Sequence, residues 1–246
     1  MAARVQLVVP CYNEAARLKT GAFLDLVRSR PDVVVRFVDD GSTDATATAL
    51  AELTARAPLQ VSVMTLPQNV GKAQAVRAGV LAAFEQEPAF VSYWDADLST
   101  PLSALAEFIE VLDNNPDIDI VMGARVKLLG RRIERRPLRH YGGRVFATAA
   151  SLALRLAVYD TQCGAKLFRA NERLRQTFAE PFRSTWLIDL EMLARYISVN
   201  GRATAESGIF ELPLKTWSDV PGSKLRVASA LHAALDLASI WRELRR

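Results

Sequence analysis

Over its first 124 residues the chain switches back and forth between two hydrophobic periods. Short β-branched and aromatic runs of strand length are "RVQLVVP", "VVVRFVDD", "VSVMTL", "FVSYWDAD" and "IDIVMGA". Between them lie helix-like stretches, "EAARLKTGAFLDLVRS", "DATATALAELTARA", "GKAQAVRAGVLAAFEQ" and "PLSALAEFIEVLDNN". Strand and helix alternating at this spacing predict an α/β, Rossmann-like domain: a mostly parallel sheet flanked by helices. The strand runs end in polar residues. In such a sheet those ends share one edge, where open α/β folds bind their ligands.

The second half is less regular. "VFATAASLALRLAV" (145–158) is apolar but only 14 residues long, too short to span a bilayer. It is followed by "DTQCGAKLFRA", a helix around "WLIDLEMLARYISVNG", a strand at "IFELPLK", a loop "WSDVPGSK" and an amphipathic C-terminal stretch from Leu225. No repeat or linker divides the chain, so 1–246 reads as a single domain with amphipathic helices at its C-terminal end; 1–124 form one half and 125–246 the other. No run of 18 apolar residues is present and the N-terminus lacks a signal peptide's long apolar core, which places the expected location in the cytoplasm. Cys11 and Cys163 have no metal-ligand spacing and read as reduced thiols.

The net charge of +4 is unevenly spread. From Arg125 to Arg144 eight Lys or Arg face one Glu, which leaves the rest of the chain at −3. A single basic patch points to phosphates or anionic lipid headgroups. Nucleic acid is disfavoured, because the cluster lacks interleaved aromatics and the chain has no helix-turn-helix.

Three motifs carry chemistry. In "VDDGSTDAT", Asp39 and Asp40 end a strand before Gly41, and Ser42 or Thr43 can cap a helix starting near Asp44. Two successive acids exceed what a cap needs, and an aspartate at a strand end can accept from a base N–H or a ribose hydroxyl. In "DAD", an extended backbone would put Asp95 and Asp97 on one side, with Cα atoms roughly 6–7 Å apart. Such a pair is either a solvated strand end or a site for Mg²⁺ or Mn²⁺, which bind oxygen and share their shell with substrate phosphates. In "NVGKAQ", Gly71 and Lys72 open a helix whose N-terminal amides can meet an anion.

The order of motifs says more than any one of them. "VVPCYNE", "VDDGSTD", "NVGKAQAVRAG", "DADLSTP", "GAR" and "DTQCGAKLF" follow one another as in family 2 glycosyltransferases. With "WLIDLEML" and "LKTWSDVPGSKL" they resemble the dolichyl- or polyprenyl-phosphate sugar synthases, and above all the dolichyl-phosphate beta-glucosyltransferase branch, from about Val5 to Leu225.

The resemblance implies a GT-A fold and transfer of a sugar from a nucleoside diphosphate to a lipid phosphate with inversion. It implies that Pro10, Tyr12, Glu14 and Asp39 hold the nucleoside, with Asp40 and Ala96 beside them and Lys72 in a matching nucleotide-site motif. Asp95 and Asp97 would hold Mg²⁺ or Mn²⁺ on the diphosphate, Asp97 more directly. Arg125, Arg139 and Arg144 would face the acceptor phosphate, and Lys224 would lie in a loop over the donor phosphates. Asp160 matches a position sometimes assigned as a base and equally suits a structural role. Where the mannosyl branch carries Gln two residues after its DAD motif, this chain has Ser99, so a third protein ligand is not expected.

The expected activity is therefore a metal-dependent hexosyltransferase, with UDP-glucose as first donor and GDP-mannose as second. The expected acceptor is a polyprenyl phosphate at an anionic membrane surface, met peripherally from the cytoplasmic face. A non-lipid acceptor is the alternative within the enzyme class. Outside it stands a degenerate binding protein for nucleotide sugars or anionic lipid.

Overall fold

The computed structural model of the chain describes residues 3–134, 137–184 and 187–220, with side chains of the helix that begins at Pro137 described from Gly142 onward. Its first half is laid out as the periodicities predict. β1 (Val5–Cys11), β2 (Val33–Asp39), β3 (Val61–Thr65), β4 (Phe90–Trp94) and β5 (Ile120–Ala124) alternate with α1 (Thr20–Ser29), α2 (Thr46–Arg56), α3 (Lys72–Phe84) and α4 (Leu105–Asn114). The second half contributes β6 (Arg132–Glu134), α5 (Pro137–Leu154), β7 (Ala165–Arg169), α6 (Glu172–Ala179), α7 (Ile188–Asn200), α8 (Arg202–Gly208), β8 (Ile209–Pro213) and β9 (Thr216–Ser218).

Seven strands form one sheet in the order β3-β2-β1-β4-β7-β5-β8, and β6 pairs with β9 in a two-stranded ribbon. All pairings of the large sheet are parallel except those of β7, which runs antiparallel to both β4 and β5. "DTQCGAKLF" thus threads a strand into the middle of the sheet. Because β7 is reversed, its N-terminal end lies at the same edge as the C-terminal ends of β1, β2, β4 and β5.

Alternation along the strands feeds two cores. Val5, Leu7, Val9 and Cys11 pack with Phe23 and Leu24 of α1, Leu50 of α2 and Phe108 of α4 on one face. Val8, Val91, Tyr93 and Met122 pack with Val76 and Val80 of α3, Phe178 of α6 and Leu190 and Tyr196 of α7 on the other. A strand whose two faces both meet helices must be apolar at nearly every position, and all five residues of β4 and all five of β5 are buried. Contact between α3 and the sheet is close at Gly79, where a Cβ would stand 2.8 Å from Val38 Cγ2 and nearer still to Val8 Cγ1.

The basic segment divides between a turn after β5, the strand β6 and the start of α5. The apolar stretch expected over 145–158 belongs to a helix that begins earlier, at Pro137, and stops at Leu154, where Arg155 turns the backbone at φ +49°. Among the described residues no helix is long and apolar enough to cross a membrane. The amphipathic stretch from Leu225 lies outside the described residues.

Candidate active site

Strand order reverses around β1: β2 and β3 lie to one side of it and β4 to the other. Loops leaving the C-terminal ends of strands diverge at such a switch point and leave a crevice. A cleft of about 540 Å³ opens there, lined by Pro10 near the end of β1, Tyr12 and Glu14 after it, Asp40 after β2, Gly71 and Lys72 at the start of α3, and Asp95, Ala96 and Asp97 after β4. Eight residues that the resemblance assigns to the donor and its metal, Pro10, Tyr12, Glu14, Asp40, Lys72, Asp95, Ala96 and Asp97, therefore line one crevice; Asp39 is buried behind it, its carboxylate accepting the Ser42 amide at 3.0 Å.

The loops that form one wall are joined side chain to backbone. Asn13, at φ +50°, donates its amide to Ser42 Oγ (3.0 Å) and accepts from the amides of Thr43 (2.8 Å) and Asp44 (3.3 Å). The Glu14 amide donates to Thr46 Oγ1 at 2.8 Å. Asp44 accepts the Thr46 amide at 2.9 Å, so the helix expected near Asp44 begins two residues later. Gly41 is at φ +66°, and a Cβ there would stand 2.6 Å from the Gln68 backbone.

Asp40 differs from its expected role in one respect. Its two oxygens accept the amides of Val70 (2.7 Å) and Gly71 (3.0 Å), so the backbone N–H groups leading into α3 are directed at a protein carboxylate rather than at an anionic ligand. Burial raises its pKa, against the pull of those two amides. The cation at this corner is the side chain of Lys72, whose Nζ is 2.5 Å from Asp95 Oδ1. Burial alone would lower the pKa of Lys72; Asp95, Asp189 and Asp97 outweigh it and hold the ammonium above its ordinary value.

The DAD motif is not extended. β4 ends at Trp94, the indole N–H of which donates to Thr100 O (2.8 Å), and Asp95-Ala96-Asp97 form a turn closed by Leu98 at φ +52°. The turn still presents both carboxylates to the cleft. The Asp95 amide donates to Gly164 O (2.8 Å), continuing the β4–β7 pairing by one residue. Gly164 also makes room for the Asp95 carboxylate: a Cβ at 164 would stand 2.8 Å from Oδ1 and closer to Oδ2 and Cγ.

A second charged pair lies along the same edge, after β5. Arg125 donates through Nε (2.6 Å) and Nη2 (2.7 Å) to the two oxygens of Asp160, and its amide donates to Oδ2 (3.0 Å). The Gln162 amide adds a fourth bond to Asp160 Oδ1 at 3.2 Å. An ionised carboxylate has about four lone-pair sites, and these four bonds are enough to fill them. The Arg125 guanidinium stands 5.2 Å from the centroid of Trp217, and its pKa stays raised by Asp160 despite burial. Arg144 of α5 stacks on Tyr159 (3.6 Å to the ring centroid) and donates to Tyr159 O (3.1 Å). The amides of Tyr159 and Asp160 both donate to Glu211 of β8 at 2.7 Å. The side chain of Arg139 and the whole of Lys224 lie outside the described residues.

Beneath the site is a buried charge network that the sequence reading did not find. Lys166, fully buried in β7, donates to Thr161 O (3.1 Å), Cys163 O (2.7 Å) and Asp189 Oδ1 of α7 (2.8 Å). The Tyr93 hydroxyl also donates to Asp189 Oδ1. Burial pushes the Asp189 carboxyl up to about 7, against the pull of Lys72, and pushes the Lys166 ammonium down to about 8. Lys72 and Lys166 stand 5.7 and 5.4 Å from the Tyr93 ring centroid. An acid and a lysine inside apolar runs, Asp189 in "WLIDLEML" and Lys166 in "GAKLF", were the only sequence signals. Glu191, two residues further on, accepts the amides of Arg183 and Ser184 and is a structural clasp.

Among the described residues no group of three or more His, Cys, Asp or Glu could hold a metal by itself. Asp95 and Asp97 fit an oxygen-loving divalent ion that completes its shell with substrate phosphates and water, and the missing Cβ at Gly164 gives Asp95 its place.

Residues 6–174 match the profile described as "Glycosyl transferase family 2". A dolichyl-phosphate beta-glucosyltransferase of Trichomonas vaginalis is 30% identical over 245 residues, covering 95% of this chain and 69% of the relative. The dolichyl-phosphate beta-glucosyltransferase of Homo sapiens is 29% identical, covering 90% and 69%. Among solved structures, glucosyl-3-phosphoglycerate synthase of Mycobacterium tuberculosis superposes with a TM-score of 0.70 at 18% identity, over 98% of this chain and 80% of that one. A mannosyltransferase of Pyrobaculum calidifontis, in complex with GDP-Man and Mn²⁺, gives 0.63 at 21%, over 99% and 64%.

Proposed function

The chain belongs to glycosyl transferase family 2 and has the GT-A fold, and on that premise we propose that it moves a hexose from a nucleoside diphosphate to a polyprenyl phosphate. The proposed donor is UDP-glucose, which the naming of the Trichomonas and human relatives as dolichyl-phosphate beta-glucosyltransferases favours over GDP-mannose. The reaction is proposed to take place at the cytoplasmic face of a membrane, with the protein bound peripherally.

One observation carries the reading. The pairs Lys72–Asp95 and Arg125–Asp160 open on the same sheet edge, and the 160–164 loop touches both: Asp160 at its start receives Arg125, and Gly164 at its end cradles Asp95. A donor diphosphate at the first pair and an acceptor phosphate at the second would approach each other across that loop.

The cleft between Tyr12, Glu14 and Gly71 takes the nucleoside, which leaves the diphosphate over Lys72 and the DAD turn. Mg²⁺ or Mn²⁺ held by Asp97 and Asp95 would supply Lewis-acid neutralisation of the departing diphosphate. The Lys72 ammonium, already ionised against three carboxylates, stabilises the same growing charge. A guanidinium carries five N–H donors, of which Asp160 engages two, so Arg125 can bind the acceptor phosphate while it stays fixed. The acceptor oxygen attacks the anomeric carbon from the face opposite the diphosphate, which inverts it. A phosphate is an anion at neutral pH and needs no strong base. Asp160, which accepts four hydrogen bonds among the described residues, is then a positioning residue for Arg125 rather than a base.

The test is transfer from UDP-glucose and GDP-mannose, carrying distinguishable labels and competing in one reaction with a short polyprenyl phosphate and Mn²⁺. Glucose label in the organic phase, lost with EDTA and reduced on the order of 10³-fold in Asp97→Asn, is the expected result. Mannose label would exchange the donor. Organic-phase label indifferent to EDTA and to Asp97→Asn would remove the metal site.

A further inference from the structure

Between the acceptor-side pair and β6 the chain makes a projecting turn that none of the chemistry above uses. The Arg131 amide donates to Leu128 O at 3.1 Å, with Leu129 and Gly130 (φ +80°) at the two central positions. A positive φ at the third residue is the mark of a type II turn and suits Gly130. Both ends are fixed: Arg125 is clamped on Asp160, and the Arg132 amide donates to Lys215 O at 2.9 Å. At the tip Leu129 is fully exposed and Leu128 about half exposed. Lys127, Arg131 and Arg132 surround them, and no acidic residue occurs from Gly123 to Ile133.

We propose that this turn is a bilayer-docking device: Leu128 and Leu129 enter the acyl boundary of an anionic membrane while Lys127, Arg131 and Arg132 lie among its headgroups. Two adjacent exposed leucines on a fixed turn lose free energy in water and gain it in hydrocarbon. The ring of cations matches negative lipid headgroups and no other feature of the turn. The placement also has a geometric consequence. Arg125 is four residues from Leu129, at most about 13 Å along an extended chain. With Leu129 at the acyl boundary, Arg125 would stand at headgroup depth, where the phosphate of a membrane-held acceptor is found. Docking explains how an acceptor could be met without being pulled out of the bilayer, and in this it rests on the function proposed above.

The experiment uses the full chain and sedimentation with phosphatidylcholine vesicles, with and without one third phosphatidylglycerol. Leu128→Ser/Leu129→Ser should lower partition onto the anionic vesicles by at least about tenfold. Lys127→Ser/Arg131→Ser/Arg132→Ser should lower it on the order of a hundredfold, and salt should imitate that loss. Because Cys11 and Cys163 are buried, a polarity-sensitive thiol dye can be placed at Leu129→Cys, and its emission should shift to the blue on binding. Partition unchanged in the leucine variant, or an unshifted dye, overturns the proposal. So does a fall in melting temperature of the leucine variant, which would mean that the turn packs on the protein. Transfer to a water-soluble short-chain isoprenyl phosphate separates the two readings. The leucine variant should match the parent there; if the parent itself transfers nothing, the proposed function fails while the vesicle result still decides the docking.

Discussion

Replacing Gly164 by alanine should separate catalysis from stability. The φ of Gly164 lies outside the left-handed region, so alanine's backbone is tolerated there. The added methyl is not, because it would overlap the Asp95 carboxylate, 2.8 Å from Oδ1 and closer to Oδ2 and Cγ. To reach ordinary contact the carboxylate must move by about 1.5 Å. The Asp95 side chain is 35% exposed, so it can swing toward the cleft without disturbing the core. What it loses is its place beside Lys72, a pair worth no more than about 1 kcal/mol to the fold at that exposure. The donor phosphates lose much more. A misplacement of this size in a positioned group costs on the order of 10²-fold in rate. Gly164→Ala should therefore melt within a few degrees of the parent, show kcat/KM reduced about a hundredfold, and require more Mn²⁺ for half-maximal transfer. Two controls bracket it. Gly21→Ala, in the first turn of α1 with nothing within 4 Å of its Cβ, should leave turnover unchanged and should not lower stability. Gly79→Ala wedges a methyl between Val8 and Val38 and should cost about 1–3 kcal/mol of stability with normal turnover per folded molecule. A Gly164→Ala enzyme with parental kcat/KM and parental metal requirement would refute the reasoning, because the Asp95 position would then not matter.

Arg125→Lys keeps the charge and loses the parallel pair of bonds to Asp160, so acceptor KM should rise about 10- to 100-fold while UDP affinity by calorimetry is unchanged; an equal loss of nucleotide affinity would count against its place on the acceptor side. Lys166→Met leaves Asp189 buried without its 2.8 Å cation and should lower unfolding free energy by about 3–5 kcal/mol in urea, with Asp189→Asn in the same chain recovering part of it; a parental urea midpoint for Lys166→Met would show the pair contributes nothing. Asp189 also sets a pH slope. Its carboxyl is at 3.8 when unfolded and about 7 when folded, so the native state binds the extra proton and stability falls as pH rises through that window. Lys166, lowered from 10.5 to about 8, makes the unfolded state the better proton binder above pH 8, so stability rises again toward pH 10.5. Urea titrations across pH should show that minimum, and Asp189→Asn should flatten its acid side.

What could be read from the sequence was what neighbouring residues decide among themselves. Alternation in β1 to β5 and the helices between them are local patterns; polar residues closing apolar runs gave Asp40, Asp95 and Asp97 as groups at one edge, and the opening of a helix gave Lys72. Two errors of detail have particular structural causes. Periodicity cannot show that Trp94 is the last strand residue, because the stop is imposed by its indole bond to Thr100 and by Leu98 in the left-handed region. Nor can it show that the amides before α3 are turned on Asp40, thirty residues away in sequence. The buried pair of Lys166 and Asp189 was out of reach for a stronger reason. Lys166 lies inside the sheet only because β7 is inserted, reversed, between β4 and β5, which places it level with Tyr93 on one side and Met122 on the other. No window of sequence contains that juxtaposition. The insertion is also what makes the site a unit. A reversed strand brings its starting loop to the edge where its parallel neighbours finish, and so delivers residues 160–164 between the ends of β4 and β5. Lys166, anchored on Asp189, grips that loop by the carbonyls of Thr161 and Cys163. Asp160 before the grip fixes Arg125, and Gly164 after it makes room for Asp95. The distance between the two charged pairs is thus set by five residues of backbone held from below. A change at Lys166 should accordingly damage turnover with either half-substrate still bound, which separate anchoring of the two pairs would not produce.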